Sequence, residues 1–174
     1  MWIAMFSQSG KEIVEISKKL GRWPDHILTT NMDKYSVHKD LVYRSATQRS
    51  THNRLIKEIE MLSNVFSNPL ITLHGYLRIM PDLPYEMYNG HPGDIVTYPE
   101  LVGKDPQKKA IEMSLPSTGC VIHKVTQDLD RGPIVSREEY IMEGDEDELI
   151  LIDRLRIISI NMWVKFLEEK LNEC

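Results

Sequence analysis

The sequence predicts an α/β fold with helices on both faces of a largely parallel sheet, and three observations carry that expectation. Short apolar runs of strand length alternate with stretches whose apolar residues recur at helical spacing. Clusters of Gly, Pro, Asn and Asp separate them, as turns require. The length of 174 residues with 41% hydrophobic content suits one substantial core, so a single domain over residues 1–174 is expected.

Met1 to Phe6 is expected as a short buried strand, Ser7 to Gly10 as a turn, and Lys11 to Leu20 as a helix with Ile13, Ile16 and Leu20 on one face. His26 to Thr30 follows as a second strand. Met32 to Ser50 is polar and irregular, with Leu41 to Tyr43 as a short strand. Thr51 is placed to cap a helix running to about Val65, because Leu55, Ile59 and Leu62 share a face and Asn68–Pro69 stops it. LITLHGYLRIM reads as a central strand turning at Gly75, and YEMYNGHPG as a strand ending at Asn89 or His91. Pro106 to Met113 suits a short helix, Cys120 to Val125 and Ile134 to Ile141 suit strands, and a long helix spans about Asp147 to Leu171.

Twenty-one basic against 26 acidic residues give −5 with no basic block, which argues against a polynucleotide partner. Two cysteines, Cys120 in an apolar run and Cys174 at the terminus, make no disulfide framework, so a reducing, cytoplasmic setting is expected. The opening MWIAMF lacks a basic n-region and is expected as a strand rather than a signal peptide. No apolar run approaches the roughly 20 residues of a membrane span.

Chemistry concentrates in two segments. In YNGHPG, extended backbone sends the side chains of Asn89 and His91 to the same side, while Gly90 opens the backbone between them and Pro92 ends strand pairing. In TQDLDRGP, two aspartates precede a Gly-Pro stop, and composition alone makes this loop, like the first, a solvated turn. Brought together, Asn89, His91 and Asp130 supply an amide donor, an imidazole and a carboxylate, which suits acyl transfer to an amine without a covalent enzyme intermediate.

The segments HGYLRIM (74–80), NGHP (89–92), TGCVIH (118–123) and DLDRGP (128–133), with GDEDE (144–148) leading to the last helix, resemble the glycinamide ribonucleotide formyltransferase family over nearly the whole chain. The spaced pair Asn-x-His-Pro and Leu-Asp-x-Gly-Pro is specific for the folate-dependent formyltransferase superfamily. The resemblance implies a Rossmann-like three-layer sandwich, the formyltransferase fold, with Asn89, His91 and Asp130 catalytic. It implies 10-formyltetrahydrofolate as co-substrate, held by Gly75, Tyr76, Leu77, Arg78, Ile79, Met80 and Asp128. It also implies an acceptor site at Ser7, Ser9, Gly10 and Lys11, a small amine acceptor, and a role in purine biosynthesis. Asn89 and protonated His91 would then stabilise the developing oxyanion while Asp130 assists proton transfer.

His123 matches a family histidine but lies in an apolar strand pattern and is expected to be structural. His26, His38, His52 and His74 lack ligand spacing, and no metal is expected. Lys104 and Lys108 flank Pro106, where they suit an anionic substrate or simply a solvated helix.

Departures from the family pattern gather on the acceptor side. The phosphate-binding glycine-rich loop is here FSQSGKE, with a single glycine and with Glu12 opposing an anion. GDIV (93–96) replaces Ser-Leu-Leu-Pro, GKDP (103–106) replaces a histidine-bearing loop, and Ile158 stands where the family carries a ribose-binding glutamate. Glycinamide ribonucleotide is therefore the leading acceptor, beside amino-sugar or other modified nucleotides. Hydrolysis of 10-formyltetrahydrofolate and non-catalytic binding are the competing classes, and homodimerisation is left open. The charge argues against the RNA-binding extension of methionyl-tRNA formyltransferases.

Overall fold

The computed structural model describes residues 1–66 and 68–172; Cys174 lies outside the described residues. Seven strands form one mixed sheet: β1 (Trp2–Phe6), β2 (His26–Thr29), β3 (Thr47–Arg49), β4 (Leu70–Leu73), β5 (Met87–His91), β6 (Ser117–Lys124) and β7 (Ile134–Ile141). The spatial order is β3-β2-β1-β4-β5-β6-β7. The first five strands in that order pair in parallel, and β6 and β7 add on antiparallel. The helices are α1 (Lys11–Leu20), α2 (Lys39–Val42), α3 (His52–Val65), α4 (Pro106–Glu112) and α5 (Glu148–Asn172).

Strand alternation divides the interior into two cores. Trp2, Ala4 and Phe6 of β1 face the layer of α1 and α5, where Ile13, Ile16, Trp163, Phe166 and Leu167 are buried. Ile3 and Met5 face the opposite layer, where Leu55, Ile59 and Leu62 of α3 close over Ile71, Leu73 and Met87. The result is a three-layer sandwich of the expected class. Because parallel strands buried on both faces carry apolar residues at every position, all five residues of β1 are buried.

The same alternation sorts β5. Met87 belongs to the α3-side core and Tyr88 to the α5-side core. Asn89 and His91 therefore face the α3 side and Gly90 faces α5.

One element departs from its sequence expectation. Leu41 to Tyr43 is not a strand: Leu41 and Val42 lie in α2, and the strand of this region is β3 instead. His38 accepts a hydrogen bond from the Asp40 N–H at 3.2 Å and caps that short turn of helix, and Leu41 is fully buried. A three-residue apolar cluster carries no period, so only the cap distinguished helix from strand. Strand β6 also begins earlier than expected, at Ser117.

Candidate functional site

Asn89 and His91 project from the last turns of β5, at the carboxyl end of the parallel part of the sheet, where open α/β sheets place their ligands. Asp130 reaches them from the loop between β6 and β7. That loop is held tightly: a Cβ at Gly132 would overlap the carbonyl oxygen of Lys124, so only glycine lets the chain pass. Asp130 itself adopts φ 53°, a left-handed conformation that aspartate tolerates better than most residues.

The three groups converge. Asn89 Nδ2 donates to Asp130 Oδ1 at 3.3 Å, and His91 Nδ1 lies 3.4 Å from Asp130 Oδ2. His91 Nε2 donates to the Leu101 carbonyl at 2.8 Å, so the ring stands between a carbonyl and a carboxylate. With Nε2 already protonated, a hydrogen bond between Nδ1 and Asp130 requires one further proton, shared between imidazole and carboxylate. Burial pulls the His91 pKa down and outweighs the opposing pull of Asp130, leaving it below 6.5. For Asp130, burial favours the neutral acid. His123, His91 and the Gly103 N–H, which donates to Oδ2 at 3.1 Å, overcome that and hold the carboxyl below its ordinary range.

His123 is buried and fully partnered, as a structural residue should be, yet its partners make it part of the site. Its Nδ1 donates to the Lys124 carbonyl at 2.9 Å, and its Nε2 lies 3.3 Å from Asn89 Nδ2 and 3.5 Å from Asp130 Oδ1. The β5–β6 register puts Asn89 directly opposite His123, a pairing of residues 34 apart that no local pattern announces.

The segment 75–80 leaves β4 through Gly75, whose φ is 61°. Tyr76 and Met80 are buried, and the Tyr76 hydroxyl lies 2.8 Å from His52 Nδ1. Burial pushes the Tyr76 phenol up to about 12. Leu77, Arg78 and Ile79 are exposed, as is Asp128 across the site.

On the other face of β5 lies a cavity of about 290 Å³. Ser9, Gly10, Lys11 and Glu12 of the first loop and helix, His74, Gly90, Pro92 and Gln107 line it together with Ile152, Leu155, Arg156 and Ser159 of α5. Ser7 does not: its Oγ accepts from the Leu77 N–H at 3.1 Å and pairs with Thr30 Oγ1 at 2.8 Å. Lys104 and Lys108 are likewise absent from the lining. Lys108 pairs with Glu112 at 3.8 Å. Ile158 packs against the core, while its neighbour Ser159 faces the cavity. Asp94 of the GDIV segment is fully buried and bound to Arg137 at 2.7 Å, which anchors the segment to β7.

A polar chain that the sequence reading missed runs under this cavity. Trp2 Nε1 donates to Thr72 Oγ1 at 2.9 Å, and Thr72 meets His74 Nε2 at 2.9 Å. His74 Nδ1 then donates to Glu12 Oε2 at 3.0 Å, and Ser159 Oγ donates to Glu12 Oε1 at 2.7 Å. Burial works against ionisation of Glu12, but these donors and Arg156 keep its carboxyl below 4.5. The indole N–H of Trp163, buried beneath Gly90, has no hydrogen-bond partner among the described residues. Among those residues no group of three or more His, Cys, Asp or Glu side chains is arranged to hold a metal ion, and no helix is long and apolar enough to cross a membrane.

No family model matches the chain. Among curated relatives, it is 31% identical over 126 residues to the trifunctional purine biosynthetic protein adenosine-3 of Chironomus tentans, covering 69% of this chain and 8% of that protein. The human protein of the same name is 26% identical over 104 residues, covering 57% of this chain and 10% of that one. The formyltetrahydrofolate deformylase of Bacillus subtilis is 32% identical over 88 residues, 47% of this chain and 28% of the enzyme. The chain thus matches between about a tenth and about a quarter of the length of these relatives. Among solved structures, phosphoribosylglycinamide formyltransferase from Bacillus halodurans superposes with a TM-score of 0.80 at 21% identity, covering 98% of this chain and 95% of that one. The Anaplasma phagocytophilum enzyme of that name gives 0.80 at 20% identity, over 96% and 84% of the two chains. A formyltetrahydrofolate deformylase from Pseudomonas syringae gives 0.77 at 16% identity, over 99% and 61%. The chain thus has the fold of these formyltransferases and of the deformylase, and the relatives it matches in part include a formyltetrahydrofolate deformylase.

Proposed function

We propose that this protein transfers a formyl group from 10-formyltetrahydrofolate to the amine of a small acceptor. The observation that carries the reading is the convergence of Asn89, His91 and Asp130 at the carboxyl edge of the parallel strands. The residues around them suit a folate. Leu77 and Ile79 are 68% and 66% exposed beside the site, an apolar pair without a packing role that a flat ring would cover. Gly75 to Met80 and Asp128 would hold the pterin end, and the folate supplies the formyl carbonyl.

The chain's own residues do the rest. The Asn89 amide donates to the formyl oxygen as negative charge develops there, and His91, on taking up a proton during the attack, adds a positive field in a water-poor corner. As the amine attacks the formyl carbon it gives up a proton to the His91–Asp130 pair, which passes it to the folate nitrogen as the carbon–nitrogen bond to the folate breaks. The acceptor amine approaches from the cavity that Gly90 and Pro92 line, where Gly90 contributes no side chain of its own and Trp163 packs beneath it. Because the site includes His123 as a brace for both Asn89 and Asp130, its replacement disturbs positions rather than removing a reacting group.

Similarity to two formyltetrahydrofolate deformylases keeps water in view as the acceptor. One assay separates the readings: follow tetrahydrofolate release from 10-formyltetrahydrofolate with and without a panel of amines, phosphoribosylglycinamide among them. Release only with an amine supports transfer, release without one establishes hydrolysis in its place, and no release under either condition ends the proposal.

A further inference from the structure

The cavity behind Gly90 has a charge pattern that bears on the acceptor. Its floor is a carboxylate: Glu12 sits in the first turn of α1, the place where a helix start would otherwise receive an anion. Glu12 is fixed rather than free to swing away, since His74 and Ser159 each hold one of its oxygens. Each oxygen retains acceptor capacity, and the side chain is 26% exposed and among those lining the cavity. The two cations of the lining are already answered. Lys11 lies 3.8 Å from Glu15, and Arg156 is bound by Glu15 and by Asp153 at 3.4 Å. Both cations of the lining are thus paired with carboxylates outside it, and Glu12, bound to His74, is the lining carboxylate that a phosphate entering at the start of α1 would meet. At about 290 Å³ the space is at the small end for a ligand site.

We infer that Glu12 is the specificity-determining residue of this cavity: it takes the anion's place at the start of α1 and selects an acceptor bearing a hydroxyl or ammonium group instead of a phosphate. This rests on the transferase reading for the word acceptor, though not for the binding preference itself. The ligand class is a small, non-phosphorylated amine whose second polar group donates to Glu12.

The test reads binding before turnover. Backbone amide shifts of Lys11, Glu12 and Ile13 are followed by NMR while the full chain is titrated, at constant ionic strength, with ethanolamine or with inorganic phosphate. Saturable shifts are expected with ethanolamine and none with phosphate. Glu12→Gln, close to isosteric, should weaken ethanolamine by about tenfold, the worth of one charge-assisted hydrogen bond. Saturable phosphate binding by the unaltered protein, or an ethanolamine affinity untouched by Glu12→Gln in a folded variant, overturns the inference. If that variant does not fold, the two titrations of the unaltered protein still decide. A second arm compares kcat/KM for phosphoribosylglycinamide and its dephosphorylated counterpart. Faster transfer to the dephosphorylated amine supports the inference, and preference for the phosphorylated one refutes it. Transfer to no amine at all, with the shifts as expected, refutes the proposed activity alone.

Discussion

The two faces of β5 behave as different instruments. On the α3 side Asn89 and His91 join Asp130 and His123 in a closed set of mutual hydrogen bonds whose residues match the formyltransferase motifs one for one. On the α5 side Gly90 faces a cavity in which Glu12 and Ser159 stand on helices whose sequences depart from those motifs, while His74 belongs to a segment that matches them. On the proposed function, a period-two backbone would let the chemistry and the choice of acceptor change independently, although their residues are adjacent in the chain. The comparison predicts that substitutions on the first face abolish turnover for every acceptor, whereas those on the second alter which acceptor is used.

The largest expected effect tests the first half of that statement. Asp130→Asn should leave the thermal midpoint almost unchanged and lower kcat about a thousandfold, in the range of a lost acid–base partner. Asn89→Ala should cost about a hundredfold, near 3 kcal/mol of barrier, with KM for the amine nearly constant. Rates near wild type for both purified variants would remove the chemistry from this face.

A third prediction concerns the loop that delivers Asp130. Gly132→Ala drives a methyl group into the Lys124 carbonyl, and the expected loss is about 3 kcal/mol of stability in a denaturant titration. A fully stable alanine variant would show that the loop has room the close approach denies.

Smaller still is the acid response of Glu12. Its folded pKa lies below 4.5, so the unfolded chain binds the proton first as pH falls. The stability it contributes is therefore present above pH 4.5 and lost as pH drops through the folded value. Glu12→Gln should therefore lower stability at neutral pH and flatten that acid limb, the difference from the unaltered protein closing as pH falls. The smallest effect is expected for Trp163→Phe, which removes a buried N–H without a partner; a change within about 1.5 kcal/mol should follow, the loss of ring area offsetting the relief.

Much of the frame was legible from local patterns. Helix α1 begins at Lys11 and ends at Leu20, where the helical face and the preceding turn ending at Gly10 placed it. Strand β5 ends at His91, where Pro92 forbids further pairing. What escaped had no local signature. The turn at Leu41 was settled by a side-chain cap and by burial against neighbours distant in sequence. The meeting of Asn89, His91 and Asp130 depended on antiparallel pairing of β5 with β6; composition alone favoured two solvated turns, and only their joint resemblance to a family put them together. The bond from His74 to Glu12 spans 62 residues and crosses from strand to helix, so Glu12 was visible as an oddity in a loop, not as one end of a chain reaching Trp2.

The amide of Gly103 has a consequence of its own. It belongs to the loop that leads into α4, and it is one of the few donors that keep Asp130 ionised. Without that donor the carboxyl would hold a proton more tightly, so the path of the chain into α4 helps to set how strong a base Asp130 is.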